Sequence, residues 1–189
     1  LTDDGGNEYV AKQLFELIEE TESWPEMAGI LEQMLDPSED AIAVAPELRQ
    51  FVLKRAANLF SERADDYQNA VFVNEVILAD TPDDAETLNH LSELYDKVGD
   101  LSGQTAALEK LLALSDDPSR IDRVILLASL YEEKLLQTEK AIEVYEFHRE
   151  DFQSDDFRAL IALERLYSTV QDWPNLVAAV VERAERVSD

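Results

Sequence analysis

Two histidines and a dense population of carboxylates are the side chains of this sequence that come nearest to a chemical constellation. His90 follows Glu86 by four residues and precedes Glu93 by three, so a helix through 86–93 gathers all three on one face, a spacing a metal ion could use. His148 has Asp151 three residues on, and is expected as a helix-end residue whose charge interacts with the C-terminal dipole. Neither histidine sits in a His-x₃-His or cysteine-rich setting, and His90 is expected as a surface or groove residue. With 42 Asp and Glu among 189 residues, carboxylate pairs occur everywhere and no pair is informative. The chain holds no Gly-rich phosphate loop, no nucleophile elbow and no His-Glu zinc motif. Without cysteine it has no thiol nucleophile, disulfide or iron–sulfur ligand. The expectation is a non-enzyme, with no catalytic residue, no bound metal and no cofactor.

The composition says what such a surface must cover. Apolar residues make up 46%, too many for a disordered chain, and only 5 Gly and 6 Pro interrupt a sequence rich in Ala, Leu, Glu and Val. That balance favours helix. No apolar run approaches the ~18 residues of a membrane span. No signal peptide opens the chain, and its first residue is Leu1 rather than Met, so a soluble, cytoplasmic segment of a longer protein is expected. The net charge of −26 repels nucleic acid and anionic membranes. Solubility explains the charge first, growth in high salt second, and a basic partner steered by the field third.

The helical pattern repeats. LNHLSELY ending at Tyr95, VILLASLY ending at Tyr131 and LIALERLY ending at Tyr167 share apolar first, fourth and seventh places followed by Tyr. LKRAANLF ending at Phe60 follows the same plan, and AKQLFELI ending at Ile18 follows it more loosely. The markers at 18, 60, 95, 131 and 167 are spaced by 42, 35, 36 and 36 residues. A period near 36 with helical spacing inside each unit means stacked helix–turn–helix units. Ten helices in five pairs are predicted, over 8–36, 47–80, 84–115, 119–150 and 155–187. Residues 1–7 are expected to be a tail and 37–46 a linker, with the hairpins from 47 to 189 forming the main body. Two stretches echo one another: TESWPEMAGILEQML at 21–35 and VQDWPNLVAAVVERA at 170–184. Ser23 and Asp172 are predicted N-caps, Glu26 completes a capping box with Ser23, and Pro25 and Pro174 fall in the first turn, where a missing N–H costs nothing. Trp24 and Trp173 are expected to plug the gap between the two helices of their hairpins.

These units resemble tetratricopeptide repeats (TPR), helical hairpins of about 34 residues with large residues at places 4, 7, 11 and 24, small ones at 8 and 20 and Pro at 32. With the markers at place 11, Ala57, Ser92 and Ala128 fill place 8, and Leu53, Leu88, Val124 and Leu160 fill place 4. Allowing one inserted residue in the turn, Ala70 and Ala141 fill place 20 and Tyr145 fills place 24 of the fourth unit. Pro82 closes the second unit, and Gly99-Asp100 stands where such repeats often carry Gly-Asp. Gln104 at place 20 of the third unit departs from the pattern, as do Phe15 and Glu164 where small residues are expected. The resemblance implies an all-α fold, an α-α superhelix (right-handed solenoid) of about five TPR-like hairpins.

It also implies a concave groove, lined by first helices, that binds a partner peptide or helix. The groove candidates are Tyr9, Lys12, Phe51, Lys54, Asn58, Asn89, His90, Arg158, Ile161 and Arg165. Lys12, Lys54, Arg158 and Arg165, with Arg55 beside them, suggest an acidic or carboxylate-bearing segment as occupant. Lys54 and Asn58, four apart, match the start of the carboxylate clamp of chaperone-binding relatives. The clamp's remaining places hold His90, Asp122 and Leu126, and Asp122 would repel a carboxylate. A structural or self-assembling segment of a larger scaffold, with homo-oligomerisation, is the alternative function.

Overall fold

A computed structural model of the chain describes residues 4–35, 45–114, 118–152 and 156–188. Among these residues the backbone forms ten α-helices and no strand. In chain order they are α1 (Asp4–Thr21), α2 (Trp24–Leu35), α3 (Pro46–Glu62), α4 (Tyr67–Asp80) and α5 (Ala85–Val98). Then follow α6 (Leu101–Leu114), α7 (Arg120–Ser129), α8 (Thr138–Phe147), α9 (Arg158–Val170) and α10 (Trp173–Ser188). The first helix starts at Asp4, inside the stretch expected as a tail, and Pro46, expected as the end of the linker, is the first residue of α3. Positions 1–3 and 36–44 lie outside the described residues.

The marker residues turn out to hold the turns together. The N–H of Ser23 bonds the carbonyl of Ile18, Asp66 bonds Phe60, Asp100 bonds Tyr95, Gln137 bonds Tyr131 and Asp172 bonds Tyr167, all at 2.7–3.0 Å. Immediately before each donor the chain passes through positive φ: Glu22, Asp65, Gly99, Leu136 and Gln171. Together these are the bonds of a left-handed helix cap, which satisfies carbonyls the helix end would leave bare. Gly99 alone of the five is a glycine, with φ 77°. The turns after Phe60 and Tyr131 are one residue longer, as the sequence alignment required. The extra residue is taken up by five-residue bonds, Ala64 N–H to Leu59 and a π turn over Leu130–Lys134.

Of the two predicted N-caps, Asp172 caps its helix and Ser23 does not. Asp66 accepts from the N–H of Asn69, Asp84 from Glu86 and Asp172 from Asn175. Ser23 Oγ instead pairs with Thr21 Oγ1 at 2.7 Å, so the expected capping box with Glu26 is replaced by a contact across the turn. The turn at Glu22 brings the two hydroxyls together before the first free N–H of α2 is reached.

The chain divides into two compact units, Leu1–Asp100 and Leu101–Asp189, each with its own core. In the first, Phe60, Leu53 and Ala56 of α3 pack with Ile77, Val73 and Ala70 of α4, with Met27 and Leu31 of α2 and with Leu91 of α5. In the second, Val124 and Leu127 of α7 pack with Leu108 of α6, Tyr145 and Ala141 of α8 and Leu160, Leu163 and Leu166 of α9. The small residues predicted for close approach, Ala57, Ala70, Ala128 and Ala141, are all fully or almost fully buried, and Ser92 is buried with them. A methyl group at those places lets neighbouring helix backbones approach without a cavity.

The two tryptophans part company. Trp24 packs half-buried against the first core, as expected. Trp173 is 56% exposed and plugs nothing; among the described residues of α10 only Ala179 is buried, and Leu176 leans on the second core. α10 packs on α9 and leaves this ring uncovered, so the sequence echo between the two Trp-Pro turns carries no information about what packs above them.

Candidate functional site

Unit one carries an open recess of about 330 Å³ formed by α3, α4 and α5. Its floor is Ala57, Asn74, Ile77 and Thr87, all buried. Its rim is Lys54, Asn58, Glu62, Glu86 and Glu93, all exposed, with half-buried Asn89 and His90 completing it. Four of the groove candidates, Lys54, Asn58, Asn89 and His90, therefore meet in one place. The reason is helical: 54 and 58 are one turn apart on α3, 86, 89, 90 and 93 share a face of α5, and α4 supplies the wall.

The rim's polar groups are already partly committed to each other. Lys54 Nζ reaches Asp84 at 3.0 Å and Glu86 at 3.3 Å. These contacts hold the ammonium above its ordinary value, the hydrogen bond from Lys54 to Asp84 being the largest cause. Burial pushes the Asp84 carboxyl up, but hydrogen bonds from Lys54 and Thr87 outweigh it and leave the group below the usual carboxylate value. Asn89 Nδ2 donates to Glu93 at 3.0 Å. Glu86 and Glu93, the carboxylates flanking His90, are thus each held by another group. Among the described residues no cluster of three metal-ligating side chains occurs.

Asn74 was not foreseen. It is 2% exposed, lies mid-way along α4 and lines the floor of the recess. Its Nδ2 donates to the Ala70 carbonyl at 2.7 Å. An Asn among apolar residues of a second helix was the only trace of it in the sequence.

The other candidates fall into smaller arrangements. Tyr9 is 65% exposed on α1. Lys12 pairs with Glu8 at 2.7 Å and stands 5.6 Å from the centre of the Phe51 ring, which meets Phe15 edge-on. In unit two, Ile161 is exposed on α9 between Arg158 and Arg165. Arg158 binds Asp156 and Asp122, and Arg165 binds Glu132. Arg55, with Arg63, binds Glu19. All five cations expected to draw in an acidic segment are already ion-paired, four of them to a carboxylate outside their own helix. Of the five, Lys12 alone makes a local i,i+4 pair, with Glu8.

His148 sits at the end of α8 as expected, but it is buried. Its Nδ1 lies 2.8 Å from Asp151, which also takes Arg120 Nε at 2.7 Å. Burial pushes the Asp151 carboxyl up, and the bonds from Arg120 and His148 bring it below the usual range. This knot ties the end of α8 to the start of α7.

The ten helices, the buried small residues and the repeated left-handed caps define an all-α protein of the TPR-like helical-repeat class. The solved structure titled MamA MSR-1 C2 superposes with a TM-score of 0.50 at 14% identity, covering 96% of this chain and 97% of that one. TPR-like repeats of kinesin light chain type from Podosopora anserina cover 100% of this chain and 98% of their own at 16% identity and a TM-score of 0.49. A MamA RS-1 double mutant covers 96% and 95% at 18% identity and 0.48. No protein-family model matches the sequence, and no curated protein matches it. At these identities the likeness concerns the fold.

Proposed function

We propose that the chain is a non-catalytic protein–protein interaction module that holds a segment of a partner polypeptide in the recess formed by α3, α4 and α5. The observation that carries this is the convergence of Lys54, Asn58, Asn89 and His90 with buried Asn74 in one open cleft. Amides offer donors and acceptors to a peptide backbone, and an open cleft of this size admits an extended strand or the face of a helix. Tyr9, Lys12 and Phe51 on unit one, and Arg158, Ile161 and Arg165 on unit two, are secondary contact candidates. An acidic occupant would have to displace carboxylates from Lys12, Lys54, Arg158 and Arg165 before gaining anything from them. A segment that is not acidic meets no such competition. The test places a photo-crosslinking amino acid at Asn58 and, as control, at Glu185, and exposes both to a cell extract. Proteins captured from position 58 and absent from the control support the module. Identical captures from both positions refute it.

A structural, self-assembling role is the second reading, favoured by the exposed apolar stripe Trp173, Val177, Val180 and Val181 on α10. Sedimentation velocity across concentrations, with Val177→Glu/Val181→Glu as comparison, decides it. A concentration-dependent species abolished by the double substitution supports assembly through α10, and a monomer throughout rejects it.

A further inference from the structure

The first and last helices expose side chains that the inner helices bury. One residue before the marker, every first helix carries leucine: Leu17, Leu59, Leu94, Leu130 and Leu166. Four residues before it stand Leu14, Ala56, Leu91, Leu127 and Leu163. On α3, α5, α7 and α9 both places are at most 5% exposed, in cores shared with the second helix that precedes each of them. Among the described residues no helix precedes α1. There Leu14 is 37% and Leu17 55% exposed, and Val10 extends the same stripe by one turn.

α10 carries the counterpart. Its exposed Val177 and Val180 lie five and eight residues past the turn donor Asp172. The same places on α4 are Val71 and Asn74, and on α6 Thr105 and Leu108, all buried. Nine residues past the turn donors the second helices carry Glu32, Glu75, Glu109, Glu146 and, on α10, Val181. Glu75, Glu109 and Glu146 accept from the marker tyrosine of the following first helix. A first helix that packs on α10 meets an apolar side chain at that place and needs no hydroxyl at its marker. Ile18 of α1 is the aliphatic one of the five markers.

We propose that α10 of one copy docks on α1 of a second copy, continuing the packing of α2 on α3, α4 on α5, α6 on α7 and α8 on α9. Val177, Val180 and Val181 cover Leu14 and Leu17, and Val181 falls opposite Ile18 where the inner junctions place a glutamate and a tyrosine. This rests on the self-assembly reading of α10 and names the surface that α10 meets. The contact joins unlike faces, so each added copy leaves one α1 and one α10 free and association does not stop at two. Its driving force is apolar burial, opposed by a net charge of −26 on each copy.

Sedimentation velocity of the whole chain over roughly 5–500 µM tests it, because a single helix pair buries less than about 1,200 Å², the size of weak interfaces. Association is expected to strengthen between ~0.05 and ~0.5 M NaCl as the repulsion is screened. Leu14→Glu/Leu17→Glu and Val177→Glu/Val181→Glu should each weaken it more than about tenfold, since either places charges in an apolar contact. Circular-dichroism melts check that both variants are folded, and Leu17→Glu alone, at the more exposed place, replaces the first pair if it is not. An equimolar mixture of the two variants retains one intact α10 and one intact α1, and is expected to form a species of two copies and none larger. Non-specific repulsion by the added glutamates would suppress the mixture as well. If the wild-type chain associates, a mixture that stays monomeric overturns the docking of α10 on α1, and so does a Leu14→Glu/Leu17→Glu variant that assembles like the wild type. Either result leaves assembly through α10 standing. A wild-type chain that is monomeric throughout assigns neither face to a second copy and overturns this inference together with the self-assembly reading.

Discussion

Single residues show where the repeat pattern was not followed and what that costs. Gln104 takes a place where a small side chain is expected, is 3% exposed, and its Oε1 has no hydrogen-bond partner among the described residues. Replacing it with Met keeps the volume and removes the orphaned acceptor. Gln104→Met is expected to raise stability by about 1 kcal/mol in urea unfolding, and a loss would show that the amide has a partner in solution. Leu136 adopts φ 55° at a turn and is 80% exposed, so its Cβ is strained and its side chain packs on little. Leu136→Gly is expected to stabilise by about 1 kcal/mol, because the left-handed conformation penalises an L side chain by that order and glycine by none. An unchanged or lowered midpoint would contradict this. Gln104 is visible in the sequence as a departure; the direction of its effect, and the strain at Leu136, follow only from burial and φ.

At the scale of helices, a second regularity joins each repeat to the one before. Tyr95 donates to Glu75 at 2.7 Å, Tyr131 to Glu109 at 2.5 Å, and Tyr167 to Glu146, always from a first helix to the preceding second helix. Phe60, at the equivalent place, has no hydroxyl to donate. Burial first, and then the facing carboxylate, raises all three phenols, with Tyr131 pushed up to about 12 from 10.0. The folded state thus binds a proton more tightly than the unfolded chain does. The contribution is whole below pH 10 and is lost as pH climbs towards 12. Tyr131→Phe is expected to cost about 1 kcal/mol at neutral pH and to flatten the fall in stability above pH 10, read from urea midpoints on a pH series. An equally steep fall in the variant would refute the latch. The recurring Tyr was read from the sequence as a repeat marker; its glutamate partners, 20–22 residues upstream, were hidden among 42 carboxylates.

Over the whole molecule, 42 acidic residues face 16 basic ones, and most described Lys and Arg pairs cross from one helix to another. Exposed pairs contribute about 0–1 kcal/mol each and weaken with salt. The unbalanced negative charge opposes compaction at every point of the surface, and salt relieves that. The second effect should win: raising NaCl from ~0.05 to ~0.5 M is expected to raise Tm by several degrees, and a fall would mean the cross-helix pairs dominate. No described helix is long and apolar enough to cross a membrane.

The helical hairpins, their turns and their buried small residues were legible in the sequence, because a helix is fixed by neighbours three and four residues away and by caps at its ends. Trp173 on the surface, the five occupied cations and Asn74 on the floor of the recess were not. Each depends on which side chains from separate helices come within a few ångströms, and only interhelical packing decides that.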